Sequence, residues 1–292
     1  MNTPLFWSER FLASHMGNYN IMKVKCVSEY KNREFEVILP YKKNGEQFLS
    51  PGEATFGGFW VTSDEPLSES EFYRLINNLK NDYSGLSFVW KFPPEHISNL
   101  NFYNQYNAIR GNFNFTEVSD VNQHLEVPNW SYESLSYGNI KKLKQFINVK
   151  GRIIEGDSGL IESSISVIEF SRIRKGLKLT MQRSHLINNL SNLKDEFRVY
   201  SASIHDEVVG AAITVDIGFS TRYVLYWGDN EVGRKYSVTA SLCEAIVKSA
   251  KLDLISKVDL GVSSLNGITD AGLYRFKQNL GAIDSHRKTL TF

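Results

Sequence analysis

Near the end of the chain, residues 272–282 read GLYRFKQNLGA. Thr269 or Asp270 can cap a helix here and Gly281 can end it in a left-handed conformation, so the spacing predicts a short helix. On that helix Leu273, Phe276 and Leu280 form the apolar stripe, while Tyr274, Lys277 and Gln278 project together from the neighbouring face. A protonated lysine placed there can contact an acyl carbonyl or a phosphate, and a tyrosine can give up a proton. The same pair also suits a surface helix with a snorkelling lysine and a half-buried tyrosine. A second candidate is NEVGRKYSVTAS, residues 230–241. A helix beginning near Ser237 would offer unpaired N–H groups to an anion. Gly233 is the single glycine of this loop, Arg234 and Lys235 add positive charge, and Ser237, Thr239 and Ser241 add hydroxyl donors. An N-capped helix with two solvated cations explains the same residues. In FGGFWV, residues 56–61, adjacent glycines suggest close approach of a ligand or of another backbone. Phe56, Phe59 and Trp60 can then stack on a sugar or base, or simply pack.

The elements that must hold these groups read as a mixture of strands and helices. In the first half, strand-like runs at 21–27, 33–41 and 46–50 follow a short helix with Ser8 as cap and Phe6, Phe11 and Leu12 at helical spacing. An amphipathic helix follows near 68–84, with Phe72, Leu75, Ile76 and Leu79 as its stripe, and then the apolar strand LSFVWKF. The second half predicts helices in 131–151, 159–176 and 180–193, a three-strand meander over 197–229, a helix over 237–252, a strand at 257–263, and a last strand near 286–292 that completes it. The order aromatic strand, helix, strand occurs in both halves, and Phe59 to Phe88 spans the same separation as Tyr226 to Ile255. That repeat favours two similar mixed α/β lobes, 1–125 and 126–292.

Composition closes off several classes. With 292 residues, 42% hydrophobic, a packed core is expected; a formal charge of +1 argues against a nucleic-acid or anionic-membrane field, so any basic site must be local. Two distant cysteines, Cys26 and Cys243, support neither a zinc site nor a disulfide scaffold, and no metal is expected. Histidines at 15, 96, 124, 185, 205 and 286 are scattered, and no Ser-His-Asp or Cys-His arrangement emerges. The first residues lack a basic n-region followed by an apolar run, and no stretch is apolar enough for a membrane span, so a soluble cytoplasmic protein without membrane insertion is expected. RIRKGLK, residues 172–178, suits a helix C-terminus or a phosphate or RNA contact. The Asn- and Tyr-rich 99–115 has too few cations for single-strand binding.

These stretches, in this order, resemble the FemAB-like branch of the GNAT acyltransferase superfamily, in which two GNAT-type domains share one chain. SPGEATFGGFWV (50–61) matches in the first lobe, FSRIRKGLKL (170–179) enters the second, and VYSASIHDEVVGAAITV (199–215), the 223–250 stretch beginning YVLYWGDNEVGRKYS, and the GLYRFKQNLGA helix follow. The resemblance implies tandem domains, each a twisted mixed sheet flanked by helices. It implies acyl-CoA as co-substrate near Tyr226, Trp227, Gly233, Arg234, Lys235, Ser237 and Thr239, and catalysis near Tyr274 and Lys277. Phe56, Phe59 and Trp60 become acceptor-cleft candidates. The departures are specific. The usual Arg/Gln-x-x-Gly-x-Gly/Ala loop is here GRKYSVTAS. The tyrosine that ordinary GNAT enzymes carry four residues before the closing glycine is here Lys277, with Tyr274 one turn earlier.

Amide formation from an activated acyl donor asks mainly for positioning, removal of a proton and a stabilised oxyanion, which fits the missing nucleophile. The first expectation is an N-acyltransferase moving an acyl group from acyl-CoA to the amine of a small acceptor such as an amino sugar or sugar nucleotide. The second is aminoacyl-tRNA-dependent transfer to a peptidoglycan precursor, a role in cell-envelope biosynthesis, although the helices of 131–195 look short for a tRNA-binding arm. The third is a non-catalytic GNAT-like binding module. DNA is not an expected partner.

Overall fold

The computed structural model describes residues 3–14, 20–27, 34–52, 54–97 and 99–292. His15 and the side chain of Leu12 fall outside them. In chain order come α1 (Glu9–Ser14), β1 (Asn20–Val27), β2 (Glu34–Asn44), β3 (Gln47–Ser50), β4 (Trp60–Val61), α2 (Glu69–Asp82), β5 (Ser87–Lys91), α3 (Leu100–Asn112) and β6 (Thr116–Glu126). Then follow α4 (Tyr137–Asn148), β7 (Arg152–Glu155), α5 (Ile161–Ile173), α6 (Arg183–Asn192), β8 (Phe197–Ile204), β9 (Glu207–Gly218), β10 (Thr221–Asp229), α7 (Glu231–Lys235) and α8 (Val238–Leu252). The chain ends with β11 (Lys257–Val262), β12 (Ser264–Leu265), β13 (Ile268–Thr269), α9 (Ala271–Gln278) and β14 (Ile283–Thr291). It divides into two compact units. The first takes the described residues up to Val121 with Leu265–Ile268 and Ser285–Phe292; the second takes Asn122–Ser264 and Thr269–Asp284.

In the first unit the sheet order is β1-β2-β3-β5-β14, with β4 beside β2. β3 and β5 run parallel, and the other pairs are antiparallel. α2 starts where its sequence signals it should: Ser68 accepts from the Glu71 amide while Glu71 accepts from the Ser68 amide, a reciprocal capping box. Its buried stripe is Phe72, Ile76 and Leu79, with Leu75 only half-buried.

Two expectations are corrected here, on FGGFWV and on the last strand, and a stretch to which the sequence assigns no element proves helical. FGGFWV is not a full strand: only Trp60–Val61 pairs, because Gly58 adopts φ +91° and its neighbours pack tightly around it. The Asn-rich 99–115 contains the helix α3, capped by Asn99. Asparagine is a poor helix former, but here Asn101 accepts from the Leu67 amide, Asn104 donates to the Leu67 carbonyl and Asn107 donates to Glu69, so tertiary bonds replace propensity. The last strand completes the first unit's sheet instead of the second's. Thr289–Thr291 pairs with Val89–Lys91, and Phe292, half-buried, stacks at 5.7 Å on Phe88 and lies 5.5 Å from Phe113.

In the second unit the order is β6-β11-β10-β9-β8-β7, mixed because β10 and β11 are parallel while the others are antiparallel. The hairpin turns fall on His205-Asp206 and Phe219-Ser220, both pairs at positive φ, as the twist of tight hairpins requires. α8 buries Val238, Leu242, Cys243, Ile246 and Val247 against the sheet. α5 lies against β9 and β10, and Gly228 permits that approach, since a Cβ there would stand 2.7 Å from the Ser171 Cβ. At the start of β10, Arg222 is fully buried. It donates to both Asp216 oxygens at 2.7 and 2.8 Å, to Asp253 at 2.8 Å and to the Tyr200 hydroxyl at 3.1 Å. Burial pulls its ionisation down, but the hydrogen bonds to Asp216 and Asp253 and the charges of Asp216 and Tyr200 together raise it, so the guanidinium stays charged.

Candidate functional site

β10 and β11 begin as neighbours and then part. Their parallel ladder joins Thr221 to Lys257, Arg222 to Val258 and Tyr223 to Asp259, and ends there. Beyond that point the β10–β9 register shifts between Val224 and Tyr226, and the β11–β6 register shifts between Asp259 and Val262. Such irregularities bend a strand away from its partner.

The cause on β11 is local. Gly261 sits at φ +76°, open to glycine at little cost. Its N–H donates to the Asp259 carboxylate at 2.7 Å, and Asn122 donates to the same oxygen at 2.9 Å. On the other side the Lys277 ammonium, 2% exposed, donates at 2.8 Å to the Gly261 carbonyl and at 2.8 Å to that of Val262. Both ends of the bent segment are thus tied to charged groups, and backbone that would otherwise reach β10 is committed elsewhere.

The gap opens into a cavity of about 640 Å³ lined by β10 from Tyr223 to Asp229, by Leu260–Val262, by α9 and by the end of α5. Ser237 and Thr239, at the start of α8, also line it. Ser237 takes the N-cap position at φ +47° without a side-chain capping bond. Five cationic side chains line this cavity: Arg172, Arg174, Lys175, Arg234 and the inward-turned Lys277. Asp229 holds two of them, with Arg174 at 3.2 Å and Arg234 at 4.0 Å. The basic run 172–178 therefore shares the cavity with Arg234 and does more than complement a helix end.

The sequence-derived residues fall into three groups. Tyr226, Trp227, Arg234, Ser237, Thr239 and Lys277 come together around the cavity. Within it the buried Tyr226 hydroxyl accepts from the Met181 amide at 2.9 Å and shares a hydrogen bond with Thr180 at 2.6 Å, while Trp227 meets Phe276 edge-on at 5.4 Å. Gly233, Lys235 and Tyr274 are not among the lining residues. Gly233 is a packing glycine: a Cβ would stand 2.1 Å from the Val209 carbonyl oxygen. Lys235 lies over the Tyr236 ring at 5.5 Å, its carbonyl accepts from Lys142, and both lysines border a separate depression of about 320 Å³. The third group, Phe56, Phe59 and Trp60, is buried in the aromatic core of the first unit. There Trp7 donates to the Gly58 carbonyl, and the Gln105 amide pairs with both backbone groups of Phe59. A Cβ on Gly58 would stand 2.9 Å from Gln105 and from Trp90, so the paired glycines admit the chain's own side chains.

The α9 faces differ from expectation. Lys277 does not project with Tyr274 and Gln278; it turns inward to β11, while Leu273 and Phe276 line the cavity with it. Tyr274 donates to Asp284 at 2.6 Å and accepts from Gln278 at 2.9 Å. The bond to Asp284 raises its ionisation, so the phenol keeps its proton. Sequence reading missed Asp259, Asn122 and Gly261. The signal available was the Asp-x-Gly spacing in VDLGV, a local side-chain-to-backbone turn set inside a strand.

Among the described residues no cluster of His, Cys, Asp and Glu could hold a metal ion, and no helix is long and apolar enough to cross a membrane.

Mixed sheets in which two parallel strands part beside a helix N-terminus define the GNAT-type fold, and the chain has this fold in the two-domain form. It is similar to FemX, with TM-score 0.69 and 12% identity over 98% of this chain and 90% of that one. It is also similar to L-PGS from Bacillus licheniformis, with TM-score 0.61 and 10% identity over 99% and 93% of the two chains. A tandem GNAT protein from the clavulanic acid biosynthesis pathway follows at TM-score 0.52 and 8% identity over 94% and 83%. At these identities the likeness is one of fold. No family model matches the sequence, and no curated protein matches it.

Proposed function

We propose that the second unit is an acyltransferase that moves an acyl group from acyl-CoA to the amine of a small acceptor such as an amino sugar or sugar nucleotide. One observation carries the reading: β10 and β11 part after Tyr223 and Asp259, and the resulting cavity ends at the start of α8. An extended pantetheine arm carries amide groups that can pair with strand edges left unpaired, as a short inserted strand would. A pyrophosphate suits the N–H groups and hydroxyls at Ser237 and Thr239 with the charge of Arg234. In the reaction the acceptor nitrogen attacks the thioester carbonyl carbon, the C–S bond breaks, and the proton lost by nitrogen ends on the CoA thiol. Lys277 acts by fixing the Gly261–Val262 backbone that borders the donor. Tyr274, which holds its proton toward Asp284, remains the proton-carrying candidate. The transferase lobe is that of residues 126–292, with lobe 1–125 beside it in sequence. A cytoplasmic location goes with this reading, because acyl-CoA is cytoplasmic.

Arg172, Arg174, Lys175 and Arg234 beside Lys277 around one cavity also favour a second donor, aminoacyl-tRNA, used on a peptidoglycan precursor. A thermal-shift series separates the two. Stabilisation by acetyl-CoA or longer acyl-CoA, weakened about tenfold in affinity by Arg234→Ala, supports the first reading. Stabilisation by tRNA alone supports the second, and no response to either removes both. Thiol release from acyl-CoA in the presence of amino-sugar acceptors then reads the chemistry.

A further inference from the structure

The end of α5 carries an unusual surface. Over residues 170–178, FSRIRKGLK, there are four cations and no acidic residue, in a chain whose formal net charge is only +1. Between the cations three large apolar side chains stand in solvent: Phe170 is 47% exposed, Ile173 70% and Leu177 49%. Phe170 and Ile173, three apart, share one side of the last helical turn, and Leu177 follows the closing glycine.

This tip is built firmly. Gly176 at φ +71° closes the helix, the Leu177 amide donates to the Arg172 carbonyl, and the Gly176 amide donates to that of Ile173. That pairing is a Schellman cap, in which the apolar residue after the glycine normally folds back onto the helix. Here Leu177 stays half in water. The Arg172 guanidinium lies 5.3 Å over the Tyr226 ring and donates to the Lys178 carbonyl, which pins the loop from beneath.

We propose that this tip docks the second unit peripherally on an anionic lipid surface, with Phe170, Ile173 and Leu177 entering the headgroup boundary and the exposed Lys175 and Lys178 meeting lipid phosphates, while Arg172 and Arg174 stay with Tyr226 and Asp229. Apolar side chains ringed by cations, with a polar body behind, are what such an interface selects. Nucleic acid would satisfy the cations and leave Ile173 and Leu177 without a partner. A protein partner would call for acidic and apolar groups in one fixed pattern, whereas a bilayer supplies both without one. The inference does not depend on the transferase reading, since its test uses binding alone.

The experiment is co-sedimentation of the full chain with phosphatidylcholine vesicles and with vesicles in which about a third of the lipid is phosphatidylglycerol, at low salt. Binding to the anionic vesicles is expected to be at least tenfold stronger, since each cation at such a surface contributes about fivefold in partition. It should fall steeply at about 0.5 M salt, where the Debye length is about 4 Å. Ile173→Asp and Lys178→Glu, both at exposed positions, should each weaken it about fivefold or more with unchanged thermal unfolding. Equal binding to both vesicle types overturns the proposal. So does wild-type binding by Ile173→Asp and Lys178→Glu, which would place the contact elsewhere. Absence of vesicle binding together with saturable binding of tRNA also overturns it and assigns the cations to nucleic acid.

Discussion

Replacing Lys277 with methionine tests what holds the gap open. Methionine keeps the length of the side chain and removes the ammonium. Two hydrogen bonds of 2.8 Å, to the carbonyls of Gly261 and Val262, disappear from a site where the lysine is 2% exposed. Hydrogen bonds from a charged donor contribute about 1.5–3 kcal/mol each, and a buried carbonyl left without a partner costs about 1–3 kcal/mol. Against this, methionine needs no desolvation of a charge, an offset of several kcal/mol. The balance is a loss of about 2–4 kcal/mol, which for a unit of this size lowers Tm by about 5–15 °C. Urea unfolding gives the free energy, and calorimetry gives Tm. The second readout is ligand-induced stabilisation by acyl-CoA, which should shrink because the Gly261–Val262 edge is no longer held away from β10. Tyr274→Phe is the control: it removes the bond to Asp284 and should leave stability within about 1 kcal/mol. Unfolding of Lys277→Met within about 0.5 kcal/mol of the parent, or above it, would refute the claim that this lysine positions the strand.

Two further outcomes follow from the second unit. Gly233→Ala places a Cβ 2.1 Å from the Val209 carbonyl oxygen, backbone that cannot swing aside, and should destabilise by about 1–3 kcal/mol in urea unfolding whether or not the protein binds acyl-CoA. Burial pushes the Tyr200 phenol up to about 12, while an unfolded tyrosine ionises near 10. Between those values only the unfolded chain releases this proton, so the native state binds more protons and stability falls as pH rises, by up to about 3 kcal/mol at pH 12 and by nothing below about pH 9. Tyr200→Phe should flatten that alkaline limb; an unchanged limb would assign the loss to other groups.

Much of the fold was legible in the sequence because period and punctuation are local. The apolar stripe Phe72, Ile76 and Leu79 announced α2, and the polar turns at His205 and Phe219 marked the meander. Helix α3 was not legible, since its asparagines are poor helix formers and are held by Leu67 and Glu69, partners far along the chain. The site was half legible. Arg234, Ser237, Thr239 and Lys277 were recognisable as charge and hydroxyl at suggestive spacing, and they do meet at one cavity. Tyr274 was equally suggestive and points to Asp284.

By itself the sequence determined the alternation of helices and strands, the positions of caps and turns, and the choice of residue types able to handle an anion, because those properties depend on neighbours within a few residues. The tertiary structure alone decided that Lys277 faces β11, that Gly233 serves packing, and that the basic run 172–178 joins Arg234 at one cavity. It also decided where Thr289–Thr291 finds its partner strand. Each of these turns on which distant segment arrives within a few ångströms, a matter of burying apolar surface and pairing backbone groups across the whole unit, and no local pattern along the chain encodes it.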